Sequence, residues 1–137
     1  MSVLLHIDPS DTRPIYIQIM DEIRRALVVK TLGPDSPLPS VRQLAADLRI
    51  NPNTVQQAYR ELEREGLIYV QRGRGTFVSA SVKPEGEKET LTMIVAKNAL
   101  REAHRHGLEA DELISAIKDM NSQLKKAPDE VSKGASE

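Results

Sequence analysis

Asn53, Gln56, Gln57 and Arg60 follow one another at helical spacing with no acidic residue among them, and Thr54 stands at their rim. At 100° per residue these polar groups lie opposite Val55, Ala58, Tyr59 and Leu62, which form an apolar stripe. Side-chain amides and a guanidinium so arranged suit hydrogen bonding to base edges: Asn and Gln can engage adenine in bidentate fashion, and Arg guanine or a phosphate. A second group, Arg72-Gly73-Arg74-Gly75, sets two cations beside glycines that permit a tight turn. Each group also has an ordinary reading, as a solvated helix face and as a charged hairpin edge. Covalent chemistry finds little support. With no cysteine, thiol nucleophiles, disulfides and thiolate metal sites are all excluded. No serine sits in a nucleophile elbow, no Walker motif is present, and Gly73-Arg74-Gly75 lacks the strand-to-helix setting of a dinucleotide loop. His104 and His106 beside Glu102 and Glu109 hint at a metal, but helical residues two apart diverge and a site needs three or four converging ligands. A solvated helix end is the expectation there, with no metal, no cofactor and no enzyme activity. Tyr16, Tyr59, Tyr69 and Phe77 fall at helical or strand spacing, so they read as core rather than as a stacking platform for single strands.

The elements that must position these groups are legible from periodicity and caps. A helix over about 14–30 carries the stripe Ile15, Ile19, Ile23, Ala26 and Leu27, with Thr12 as N-cap and Pro14 in its first turn. The three prolines between Gly33 and Pro39 stop it and impose a loop. Ser40-Val41-Arg42-Gln43 matches a capping box and opens a short helix over 40–48. Asn51-Pro52 starts a third helix, from 52 to Gly66, and Arg49 before it is read as a surface residue. Strands over 67–71 and 76–79 follow. Three helices and then a hairpin is the order of a winged helix-turn-helix.

The run Leu38-Pro39-Ser40-Val41-Arg42-Gln43-Leu44-Ala45, the stretch Asn51 to Tyr59, the run Leu62 to Ile68, and Arg72-Gly73-Arg74-Gly75-Thr76-Phe77-Val78 agree in order and spacing. Together they resemble the DNA-binding domain of GntR-family bacterial transcription regulators, over roughly residues 8–79. The family's approach to Leu-Pro-Ser is Gly-x-Leu-x-Pro-Gly. This chain keeps Leu32 and Pro34 but has Lys30 and Asp35 where the glycines are expected. The resemblance implies DNA contacts at Arg42, at Asn51, Asn53, Thr54 and Gln56, and at the wing tip through Arg72 and Gly73, with Arg74 adding a phosphate or narrow-groove contact. Ser40, Pro52, Gln57 and Arg60 complete the expected DNA-binding set. Pro52 replaces a basic or polar residue found in many members, which removes one contact.

Residues 1–83 hold 11 Lys+Arg against 9 Asp+Glu, whereas 84–137 hold 8 against 11, so a polyanion would meet the first segment. The expected divisions are a DNA-binding domain over 1–82, a linker over 83–89, a dimerisation region over 90–127 and a disordered tail over 128–137. Apolar residues lie on more than one side of the helix after the linker, and a second stripe follows His106-Gly107. A hairpin this small lacks a core of its own, so it is expected to pair with its twin through Leu91, Ile94, Val95, Leu100, Leu113, Ile117, Met120 and Leu124. Its size and pattern are similar to the short YtrA-like branch of the family. The expected fold is therefore mostly α with a small β-hairpin wing, a winged helix-turn-helix followed by a two-helix dimerisation hairpin. The expected partners are double-stranded operator DNA, a second copy and a small-molecule effector at the dimer interface; the expected location is the cytoplasm, away from any membrane. The other class of function open at this point is a winged-helix module that binds protein instead of DNA.

Overall fold

The computed structural model describes residues 5–126, so the tail expected over 128–137 lies outside the described residues. The chain divides into two compact units, Met1–Thr92 and Met93–Glu137. In the first, α1 (Ile15–Val28), α2 (Val41–Leu48) and α3 (Pro52–Arg64) surround one core with a three-stranded sheet of β1 (Pro37–Leu38), β2 (Ile68–Gln71) and β3 (Gly75–Val78). Helix α3 is central and packs against α1, α2 and β2. Ile19, Ile23, Leu27, Leu44, Val55, Leu62 and Val78 are fully enclosed there. The apolar stripes anticipated from helical periodicity are thus the faces that meet, except that Ile15, at the start of α1, is exposed.

Local signals explain the helix ends. Ser40 and Gln43 form a reciprocal capping box at α2, and Asn51 caps α3 with Pro52 in its first turn. Helix α1 departs from expectation: Pro14 itself is the N-cap and no side chain caps it, so Thr12 does not serve there. The buried amide of Gln18 organises the entry instead. Its Nε2 donates to the Arg13 carbonyl at 3.1 Å, and its Oε1 accepts from the Asp8 N–H at 3.1 Å. Arg13 bonds both Asp11 and Asp21, and its guanidinium holds the Asp11 carboxyl below the usual carboxylate range.

Two segments expected to be irregular are ordered elements. Pro37–Leu38 forms β1, antiparallel to β3 in the order β1-β3-β2, with Leu38 opposite Thr76. A two-residue strand carries no readable alternation, and its proline is tolerated because β1 lies at the sheet edge. The linker expected over 83–89 is helical from Pro84, the first residue of α4 (Pro84–Arg105). Proline followed by Glu85 and Glu87 suits the first turn of a helix, which outweighs the linker-like composition.

After α4, Gly107 takes φ 74°, and the Leu108 N–H reaches the Ala103 carbonyl at 2.9 Å, closing the helix before α5 (Ala110–Lys126). The two helices follow the expected order with the turn at His106-Gly107, but they do not share the packed face that a closed hairpin would have. Ala103 is the sole buried residue of α4, and α5 has none. Among the described residues no helix is long and apolar enough to cross a membrane.

Candidate nucleic-acid interface

The start of α3 presents the residues singled out for base contact. Asn51, Pro52, Asn53, Gln56, Gln57 and Arg60 are exposed and Thr54 is half-buried, while Val55, Ala58, Tyr59 and Leu62 face the core. Asn51 has a split role. Its Oδ1 accepts the Asn53 N–H at 2.8 Å, so only its amide hydrogens remain to donate outward. Pro52 contributes no N–H, but the helix N-terminus still carries partial positive charge, which favours phosphate.

At the start of α2, Ser40 Oγ accepts the Gln43 N–H at 3.1 Å and Gln43 Oε1 accepts the Ser40 N–H at 3.0 Å. That leaves the Ser40 hydroxyl proton available to an acceptor beside the exposed Arg42. Tyr59 joins the two helices: its hydroxyl donates to the Pro39 carbonyl at 2.7 Å, and burial pushes the phenol far above its usual range, so it stays a neutral donor. The residue just before the α2 N-cap is thereby tied to the middle of α3.

At the hairpin tip, Gln71 pairs with Gly75 across a loop of Arg72, Gly73 and Arg74. The Arg74 N–H closes it on the Gln71 carbonyl at 2.9 Å, and Gly73 has φ 77°, a conformation that disfavours a side chain. Both arginines are exposed. Behind the tip, Tyr69 and Phe77 stack with ring centroids 5.5 Å apart, so these aromatics brace the hairpin.

Charge pairing separates the arginines into two sets. Arg13, Arg24, Arg25 and Arg64 make ion pairs with carboxylates. Among the described residues Arg42, Arg49, Arg60, Arg72 and Arg74 have no carboxylate within 4.0 Å. Arg64, on the outward side of α3 by periodicity, belongs to the paired set through Glu61 at 2.9 Å. In the first unit the unpaired guanidiniums thus occur at the start of α2, at its end, along α3 and at the hairpin tip; in α4, Arg105 pairs with Glu102, and the exposed Arg101 has no carboxylate within 4.0 Å among the described residues.

Sequence reasoning missed the backbone strain near this surface. Arg49 ends α2 at φ 57°, and Lys30 and Asp35 take φ 67° and 63°. The two positions where the family pattern has glycine therefore keep a left-handed backbone without glycine. His106, proposed and rejected as a ligand, bonds Glu102 at 3.0 Å, and among the described residues no group of three His, Cys, Asp or Glu is placed to hold a metal.

Comparison with known proteins follows the same lines. Residues 15–78 match the family model described as bacterial regulatory proteins, gntR family. The HTH-type transcriptional repressor YtrA of Bacillus subtilis is 40% identical over 124 residues, covering 89% of this chain and 95% of that protein. Among solved structures, a GntR family transcriptional regulator from Listeria monocytogenes has a TM-score of 0.64 and 32% identity over 80% of this chain and 97% of its own. YtrA from Sulfolobus acidocaldarius, a GntR-family transcription factor, has a TM-score of 0.55 and 35% identity, over 71% and 98% respectively. These relatives are transcription regulators and not enzymes. With the capped α2–α3 pair, the wing and this likeness over nearly the whole chain, the protein belongs to the gntR family of bacterial regulatory proteins and is a DNA-binding transcription regulator.

Proposed function

We propose that the protein is a cytoplasmic repressor that binds a pseudo-palindromic operator as a homodimer, the start of each α3 in a major groove and each wing beside the adjacent minor groove. The clustering of unpaired exposed guanidiniums at α2, α3 and the hairpin tip carries this reading, because cations free to meet DNA phosphates release their counterions. Asn53, Thr54, Gln56, Gln57 and Arg60 supply base contacts. Ser40, Arg42, Asn51 and the helix start near Pro52 supply phosphate contacts, and Arg72, Gly73 and Arg74 approach the minor groove.

Dimerisation is supported by the uncovered apolar residues of α4 and α5. Val95, Ile117 and Met120 are 61%, 53% and 63% exposed, and Leu124 is also exposed; Leu91, Ile94, Leu100 and Leu113 are half-buried. Helices with so little interior of their own are completed by a second copy. Repression matches the YtrA of Bacillus subtilis, named as a repressor, and occlusion is the simplest way for a bound dimer to repress. An effector would act at the dimer interface by binding one arrangement better than another.

Selection of bound duplexes from a random pool at physiological salt tests the reading. An enriched inverted repeat with half-sites about 10 base pairs apart is expected. Recovery of no common sequence would overturn it and favour a protein-binding role for the same fold.

A further inference from the structure

One buried cation lies outside the interface and joins three elements. Arg24, in α1, is 7% exposed at its side chain. Its Nη2 bonds Glu65 Oε1 at 2.6 Å, its Nη1 is 3.5 Å from Asp21, and its Nε is 3.5 Å from Glu87 Oε1. Glu65 is the C-cap of α3, the helix whose start is aimed at DNA, and Glu87 lies in the first turn of α4. The planar guanidinium thus hydrogen-bonds Glu65 through Nη2 while its Nε edge faces Glu87 as an ion pair, a fixed two-sided arrangement that a single ammonium would not reproduce.

We propose that Arg24 is a positioning residue for operator binding, holding the end of α3 and the first turn of α4 in one register so that the preferred half-site spacing depends on the Arg24–Glu87 contact. This rests on the dimeric-operator reading above. The contact is poorly explained as a source of stability. The Nε has no hydrogen-bond partner despite its burial, and three carboxylates face one guanidinium, with Asp21 shared with Arg13. Desolvation, and more weakly Glu65, push the Glu87 carboxyl above its usual range despite Arg24. A folded-state value above the unfolded one means that Glu87 favours the fold when protonated and loses that contribution as pH rises through the folded value, so at neutral pH its charge is a cost. An ion pair around a buried charge is weak evidence for stability.

The test uses the full-length protein and the operator selected with the wild type, as duplexes with the chosen spacing, with two added central base pairs, and with a single half-site. Glu87→Gln is expected to leave single-half-site affinity and the unfolding midpoint no lower than in wild type. The preference for the chosen spacing should fall at least about fivefold, the lower end of typical coupling. Arg24→Lys should behave alike, and Glu85→Gln, the same charge change at an exposed site on the same turn, should retain the preference. An unchanged preference in Glu87→Gln overturns the inference and leaves the operator reading intact. Equal loss of affinity for all three duplexes also overturns it, because the residue would then support the fold or the recognition helix itself. Absence of any spacing preference in the wild type overturns the dimeric reading instead, and the inference with it.

Discussion

A guanidinium in an internal ion pair and one facing only solvent have different work available, and that difference orders the predictions at the level of single residues. Arg72→Ala and Arg74→Ala are each expected to weaken operator binding and to lower the slope of log affinity against log salt by about one unit per lost phosphate contact. Unchanged titrations in both variants would remove the wing from the interface. Lys30 presents the opposite case, a residue whose backbone carries a cost. At φ 67° an L side chain is about 1–2 kcal/mol less favourable than on ordinary helical backbone, so Lys30→Gly should raise unfolding stability by about 1 kcal/mol in denaturant titration, with no loss of operator affinity. Asp35, at φ 63°, gives a smaller gain, because its Oδ1 accepts the Tyr69 hydroxyl at 3.0 Å and glycine would lose that bond. The only sign of either strain in the sequence was that the family pattern has glycine at both positions. Lys and Asp at these positions say nothing of φ, which is fixed by the chain around them, including buried Leu32 and the Asp35 N–H bonded to the Val78 carbonyl.

Among the elements, those with both periodicity and a cap were legible: α2 and α3 begin where Ser40 and Asn51 said they would, and the wing turns where its glycines allow. Strand β1 was not, since it exists by pairing with β3, a non-local contact that two residues cannot announce. The start of α4 was misread because charge, proline and glycine describe a linker and a helix N-terminus equally well until a partner such as Arg24 is in place. The same non-local dependence holds for the approach to α2, where Tyr59 of α3 reaches back to the Pro39 carbonyl. Tyr59→Phe removes a buried donor while keeping the ring, and should cost about 1 kcal/mol of stability. It should also weaken operator binding, because the start of α2 loses its tie to α3; unfolding and binding titrations on the one variant check both.

For the whole molecule, the decisive property is how unevenly the interior is distributed. The first unit holds nearly all of the core, whereas no residue of α5 is fully buried. Ile117→Asp puts a charge on that uncovered face and is expected to yield monomers in sedimentation and a weaker operator complex, with the first unit still folded by circular dichroism. A wild-type monomer at micromolar concentration would sink the dimer. The apolar stripes of α4 and α5 could be read from the sequence; the lack of a shared packed face between them could not, because periodicity shows that a face wants cover without showing what covers it. Continuous helix from Pro84 to Arg105 has one more consequence. A flexible tether would tolerate added residues smoothly, its reach growing as roughly the square root of length. In a helix each inserted residue turns everything downstream by about 100° and seven nearly restore the phase, so tolerance to insertions in α4 should oscillate with length, as it does for a threaded shaft and not for a rope.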